Sequence, residues 1–306
     1  MSSVPRHLIL KYLRYGGSAS GGDSDPRHQK ECSIKIMKKP FISFTSDFGV
    51  QSQGVGVMEG VARSICPDAH IIHLMHGLPD FDIITGARTL ETVNWLPIGY
   101  HVCVIDPGVG SKRRCLAIKT KRGDYLIGPD NGVLIPASRV LGGIVKVVEI
   151  TNSQYMRELI SPIFHGRDIF APIAAWLAKG TAIEELGPEI NLKELIPPPY
   201  DEAILSGKEI TARVISINKF GSFHLNILSS LWDKLGMQLN EVVELALPNE
   251  KIRLMFVKTF SDVIVNDPLI MKDDYGRMEV AINQGHFISK HPLGVGDKII
   301  VRKIEK

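Results

Sequence analysis

The sequence predicts an α/β domain on a mainly parallel sheet, followed by a smaller antiparallel β-barrel domain. Three observations carry this. Short apolar, β-rich runs alternate with helically spaced segments as far as about residue 180, the pattern of a parallel sheet covered on both faces. Three of the predicted strands run into Asp/Gly loops, at Asp47, Asp106 and Asp130. After prolines 197–199 the texture changes to short strands with no helices between them, which reads as a barrel. The expected domains are therefore 40–196 and 200–306, preceded by a leader over 1–39.

The elements follow in order. FISFTSDFG, from Phe41, is a strand feeding a loop, and VGVMEGVARSI is a helix stopped by Pro67. AHIIHLMH is a second strand, and FDIITGARTLETVNWL a helix ended by Pro97 and Gly99. HVCVIDPGVG repeats the strand-to-glycine-turn pattern. CLAIKT, DYLIGPDNG and IVKVVEI are further strands. FHGRDIFAPIAAWLAKG opens on a glycine turn and becomes an apolar helix ending at Gly180. Beyond the prolines, EITARVISINKFGSFHLNI, NEVVELALP, IRLMFVKTF, RMEVAIN and KIIVRKI supply the barrel strands. In the leader, GGSASGGDSD has linker composition. HLILKYLRY before it has one or two basic amphipathic turns, which organelle targeting would use, but a disordered extension or a misplaced start is the preferred reading.

Composition bounds the function. The 306 residues carry 36 basic and 33 acidic side chains, a net charge of +3, without the concentrated basic face of a nucleic-acid binder. No apolar run is long enough to cross a bilayer. Cys32, Cys66, Cys103 and Cys115 form no CxxC pair, which suits free thiols in a reducing compartment, and the expected location is the cytoplasm. Walker, GxGxxG and GxSxG signatures are absent.

In open α/β sheets, ligands bind beyond the carboxyl ends of the strands, so the three Asp/Gly loops hold the candidate site. Asp47 in TSDFG suits a diol, or else an Asx turn. Asp106 in DPGVG sits on a tight turn, with Gly110 leaving room for a ligand near the backbone. An arginine in SKRR would hold its carboxylate ionised, and spacing alone does not choose between Arg113 and Arg114. Asp130 and Asn131 in GPDNG form a common turn sequence. In FHGRD, His165 precedes a helix that Asp168 favours electrostatically, and stands where a histidine orients or deprotonates water. His70, His73 and His76 invite a metal reading. Strand alternation puts only His70 and His76 on one face, so no metal is expected, and His73 and His101 read as packing residues.

Taken together, TSDFG, HGLPDFD, DPGVGSKRR, GPDNG and FHGRDIFAP resemble, in order and spacing, the S-adenosyl-L-methionine hydroxide adenosyltransferases, relatives of the fluorinase and chlorinase. The resemblance runs from Phe41 to the C-terminus. It implies hydrolysis of S-adenosyl-L-methionine to adenosine and L-methionine without cofactor or metal. It also implies a homotrimer with each site shared between neighbouring subunits. The family's Asp-Arg-His triad falls on Asp106, Arg113 and His165, its ribose-binding aspartate on Asp47, and a substrate-facing aromatic on Phe81. Asn131 and Phe220 are carried as further substrate contacts. In the halogenases tyrosines replace Asp106 and His165, so the triad points to the water-using branch. The chain departs from the family at Asn218-Lys219-Phe220-Gly221-Ser222. There the family has an aspartate for the methionine ammonium and an asparagine for the adenine edge, and this chain has Asn218 and Ser222, with Asn226 a conceivable substitute. That departure sustains an alternative, a binding protein for S-adenosyl-L-methionine or adenosine with little turnover. Halide-dependent cleavage is the other.

Overall fold

The computed structural model describes residues 39–304. The leader, but for Lys39, lies outside them.

The first sheet has the order β2-β1-β3-β5-β4-β6. Its strands are β1 (Phe41–Ser46), β2 (His70–Met75), β3 (Tyr100–Val104), β4 (Cys115–Thr120), β5 (Tyr125–Pro129) and β6 (Ile144–Glu149). The pairs β1–β2, β1–β3 and β3–β5 are parallel. The sheet is mainly parallel, as its alternation with helices predicts, but β4 runs antiparallel to both β5 and β6. The turn at Gly123, φ +105°, folds β4 and β5 into a hairpin where no crossover helix exists. All six residues of β1 are buried, as a strand covered on both faces requires. On one face, α1 (Gln53–Ile65) and α4 (Ala171–Ala178) pack Met58, Ala62, Ile173 and Leu177 into the core. On the other lie α2 (Ile83–Glu91) and α3 (Ile135–Val140), with Ala87, Leu90 and Ala137.

Two helices depart from expectation at their ends. The run from Phe81 starts its helix only after Asp82, whose carboxylate caps Thr85 N at 2.9 Å, and the last turn, Thr92–Trp95, is 3₁₀. The helix after His165 begins as a π-turn over Gly166–Phe170, a feature often found at functional sites.

The second sheet closes on itself. Its strands are β7 (Ile204–Ser206), β8 (Glu209–Ile217), β9 (Phe223–Leu228), β10 (Val242–Ala246), β11 (Lys251–Phe256), β12 (Pro268–Lys272), β13 (Arg277–Ile282) and β14 (Lys298–Lys303). They run in the order β14-β10-β11-β12-β13-β9-β8-β7, and β8–β14 pairing closes a seven-stranded barrel. It departs from the expected antiparallel barrel at one seam, where β11 and β12 pair in parallel. It is also not helix-free, because α5 (Ser229–Leu235) and α6 (Phe287–Lys290) intervene. At seven and four residues they are too short to show a helical period. Trp232 and Phe287 on them are fully buried in the barrel core.

A buried ion network ties α2 to the barrel. Arg277 is fully buried and donates to Glu91, to Glu202 at 2.7 Å and to Asn226 O at 2.9 Å. Arg88 bridges Glu91 at 2.9 Å and Asp273 at 2.5 Å. Each cation is opposed by two carboxylates, the arrangement that buried charge needs.

Candidate active site

Strands β1, β3 and β5 are neighbours, so their following loops converge at one edge of the sheet. There, Asp47, Asp80, Phe81, Asp106, Val109 and His165 line a cavity of 220 Å³. Asp130 does not join them. Its carboxylate takes Arg114 at 2.6 and 2.9 Å and Ile196 N at 3.0 Å, so it anchors the chain leading to the prolines.

Arg113, and not Arg114, is the partner of Asp106. Its Nε donates to Oδ1 at 3.1 Å and its Nη2 to Oδ2 at 2.5 Å, the bidentate fork that only arginine makes. Nη2 also donates to His165 Nδ1 at 2.9 Å. Nη1 donates to Arg114 O at 3.1 Å and to Cys115 Sγ at 2.9 Å. All five guanidinium N–H groups are thus engaged. Arg113 orients its neighbours and has no donor left for a ligand.

This geometry decides the state of His165. A guanidinium cannot accept, so Nδ1 carries the lone pair and the proton of the neutral ring sits on Nε2. Burial, then the charge of Arg113, push the imidazole below its ordinary value, which keeps it neutral. His165 therefore faces the cavity edge as a hydrogen-bond donor. Asp106 shifts the other way. Burial raises its carboxyl above the ordinary value, and the Arg113 charge and hydrogen bonds only partly offset this.

The loop carrying His165 is held from behind. Asp168 is fully buried, takes Arg167 at 2.6 Å and accepts Ser161 N at 2.9 Å. It reaches back to fasten the loop and does not merely favour a helix terminus. Gly110 has φ +76°, and a Cβ there would lie 2.3 Å from Pro162 O. The space expected for a ligand is filled by the backbone of the His165 loop, so Gly110 serves the approach of two loops. Gly166 makes a similar approach, since a Cβ would meet Met58 Sδ at 2.8 Å.

Asp47 Oδ2 accepts Phe81 N at 3.0 Å, fastening a residue with φ +62° and a 67% exposed side chain. A non-glycine residue in that region is strained, and here it holds an aromatic ring out over the cavity. Asn131 is placed differently. Its Nδ2 donates to Ile105 O at 2.8 Å and its Oδ1 accepts Val133 N at 3.2 Å. It secures the turn and does not line the cavity.

The three barrel residues lie elsewhere. Asn218, Phe220 and Ser222 line a second cavity of 490 Å³, with Lys219, Phe260 and Glu279. No residue lines both cavities. Asn218 Oδ1 accepts the amides of Phe220 and Ser222 at 3.0 and 3.2 Å, which organises the turn. Asn226 accepts Arg213 N at 2.7 Å and donates to Asp201 O at 2.6 Å, so it does not substitute in the cavity. Sequence patterning missed Glu279, whose only signal is its place in the alternating run RMEVAI.

The histidines also correct the strand argument. β2 ends at Met75, and the chain bends so that His76 Nε2 meets His73 Nδ1 at 2.9 Å. His73 Nε2 continues to Glu59 at 2.9 Å, and His76 Nδ1 to Ser46 Oγ at 2.7 Å. His101 is fully buried between Ser43 at 2.7 Å and Asp124 at 3.1 Å. Among the described residues no three His, Cys, Asp or Glu side chains are grouped to hold a metal ion.

Residues 42–187 match the model of the SAM hydroxide adenosyltransferase N-terminal domain, and residues 212–300 that of its C-terminal domain. The chain belongs to this family. It is 35% identical over 263 residues to an (R)-S-adenosyl-L-methionine hydrolase of Salinispora tropica, covering 86% of this chain and 97% of that one. A fluorinase of Actinoplanes sp. is 25% identical over 295 residues, 86% of this chain and 98% of its own. The fold is shared with the crystal structure of an uncharacterised conserved protein from Thermotoga maritima. The TM-score is 0.80 at 29% identity, covering 86% of this chain and all of the other.

Proposed function

We propose that this chain hydrolyses S-adenosyl-L-methionine to adenosine and L-methionine, by attack of water on the ribose C5′. The observation that carries this is that Asp106 and His165 line one cavity and are joined behind it by Arg113, in a member of this family. The sulfonium makes methionine a good leaving group, so the chemistry calls for no cofactor, and orientation of the water supplies much of the acceleration.

The residues then divide the work. His165 donates its Nε2–H to the water oxygen and fixes it in place. Asp106 accepts a water hydrogen, and takes the proton as the C5′–O bond forms and the C5′–S bond breaks. A carboxylate paired with arginine is a weak base, but the attacking water becomes strongly acidic as it bonds to carbon, so a weak base suffices. The raised affinity of Asp106 for protons serves that step. Arg113 positions both groups without touching substrate. Asp47 retains its Oδ1 for the ribose diol, and Phe81 covers the sugar.

A 220 Å³ cavity falls below the ~300–1,000 Å³ usual for small-molecule sites. Phe81 and Ile163 are exposed in its lining, and Phe220 and Phe260 are exposed in that of the barrel cavity. These features support a homotrimer of two-domain subunits, 40–196 and 200–306, in which the barrel cavity of one subunit closes the first cavity of the next. Cys66, Cys103 and Cys115 are free and buried, which suits the cytoplasm.

Chromatography of S-adenosyl-L-methionine incubated with the protein tests the reading. Wild type yields adenosine and methionine, with or without halide, and the Asp106→Ala and His165→Ala variants do not. Adenosine at spontaneous background from wild type overturns it. A 5′-halogenated nucleoside formed only with halide replaces it with the halogenase reading.

A further inference from the structure

In the barrel cavity, Glu279 is 92% buried, its side chain accepting from Asn218 Nδ2 at 3.4 Å and sharing a hydrogen bond with the Ser222 hydroxyl. Both donors are neutral. Among the described residues no lysine, arginine or histidine lies within ion-pair distance of it. His224 faces it across the β9–β13 ladder, but is committed to Asp273 at 2.9 Å. A buried carboxylate whose hydrogen-bond donors are neutral is costly, and the charge of His224 across the ladder only partly offsets that cost. Burial accordingly pushes the Glu279 carboxyl above its ordinary value, and a cation arriving in the cavity would reverse that.

The opposite charge stands in the same wall. Lys219 is exposed, has no carboxylate partner among the described residues, and rests its ammonium 5.0 Å from the centre of the Phe220 ring. One uncompensated carboxylate and one uncompensated ammonium in a single cavity match an α-amino acid zwitterion, which carries both charges two bonds apart on one carbon. The remaining wall is mixed: Phe220 is 63% and Phe260 41% exposed, Ile282 and Gln284 stand beside them, and His286 shares its Nδ1 with the Ser289 hydroxyl at 2.7 Å.

We propose that Glu279 and Lys219 form the clamp for the amino-acid end of the substrate, Glu279 receiving the α-ammonium and Lys219 the α-carboxylate. This rests on the hydrolase reading for the identity of the substrate. Asn218 and Ser222 then have a different task from direct contact. Their polar groups are spent on the turn and on holding Glu279 in place.

The test compares three sulfonium substrates: S-adenosyl-L-methionine, its analogue lacking the α-amino group, and its decarboxylated analogue. Glu279→Gln keeps the shape and removes the charge. A charge-assisted hydrogen bond is worth enough to raise KM for S-adenosyl-L-methionine by roughly 10- to 100-fold, with kcat within about twofold. The same variant leaves KM for the deamino analogue unchanged. Lys219→Met raises KM for S-adenosyl-L-methionine by roughly 3- to 10-fold, a smaller factor because the group is exposed, and leaves the decarboxylated analogue unchanged. A merely structural Glu279 would cost all three substrates alike, and that result overturns the clamp. Calorimetric binding of S-adenosyl-L-methionine is measured in parallel on catalytically silent Asp106→Ala. If wild type makes no adenosine yet Glu279→Gln still weakens binding, the hydrolase reading fails and the clamp stands. If wild type turns over and neither substitution shifts KM or affinity, the clamp alone fails.

Discussion

At the carboxyl edge of the parallel sheet every N–H of Arg113 has a partner, whereas in the barrel cavity Glu279 lies buried with hydrogen bonds from neutral donors only, and the charge of His224 across the ladder offsets its burial in part. The first cavity is assembled before substrate arrives. Its groups are bound to one another, their protonation states are fixed by those bonds, and nothing has to reorganise when charge moves in the reaction. The second is incomplete until a ligand supplies the missing charges. Chemistry benefits from a rigid, satisfied constellation. Selective binding benefits from groups whose best partner is the ligand.

The largest effect that would break this contrast is at Arg113. Arg113→Met leaves Asp106 buried without a counter-charge and frees His165 to change tautomer. Removing one partner of a buried pair costs about 3–5 kcal/mol of stability, and turnover should fall below detection. Thermal unfolding and single-turnover assays check both. Asp106→Asn keeps the fold and lowers kcat by about 10³-fold. An Arg113→Met enzyme with near-normal kcat would mean that the triad is not preassembled for catalysis.

The pair His165→Gln and His165→Ala sharpens the contrast. Loss of an oriented donor costs about 10²–10³-fold in kcat, so alanine shows that loss, and glutamine, which keeps a donor N–H, recovers part of it. Equal losses would indicate proton abstraction by His165. The pH profile separates the two further. Asp106 must be ionised, and its carboxyl is raised, so kcat falls on the acid side at a pH above that of an ordinary carboxylate. His165 is already neutral near pH 7, because its imidazole is lowered.

Stability has its own acid limb, at His76, which lines neither cavity. His76 is held neutral inside the Ser46–His76–His73–Glu59 chain, its imidazole lowered from 6.5 to about 4 by burial and then by His73. The unfolded state binds the proton more readily, so this contribution is complete above about pH 6.5 and is lost as pH falls toward about 4. His76→Asn should flatten that slope in urea titrations and leave kcat unchanged.

The smallest effect tests a residue that the two cavities do not share. Asn131→Ala removes two backbone hydrogen bonds, worth about 1–3 kcal/mol of stability, with kcat and KM unmoved. A KM effect would return Asn131 to the site.

Much of this was legible in residue order. The alternation of strand and helix, and the aspartates after β1, β3 and β5, locate the sheet and its carboxyl edge. Three kinds of feature were not legible. The reversal of β4 depends on a hairpin at Gly123, which reads the same as a crossover until the pairing is seen. The choice between Arg113 and Arg114 is left open by spacing, since adjacent residues carry equal chemistry, and only the family resemblance points to Arg113. The roles of Gly110 and Asn131 depend on what lies across from them, Pro162 in one case and the Ile105 carbonyl in the other. Glu279 was hidden for the same reason, since a glutamate on a barrel strand looks solvated until its partners are counted.

The most direct measurement of the central claim is hydrolysis of S-adenosyl-L-methionine in ¹⁸O-labelled water, with mass analysis of both products. The account predicts one labelled oxygen in adenosine, at the 5′-hydroxyl, none in methionine, and loss of the labelled product in Asp106→Ala. Unlabelled adenosine, or label appearing on the amino-acid fragment, would contradict attack of water on C5′ and with it the assignment of the triad.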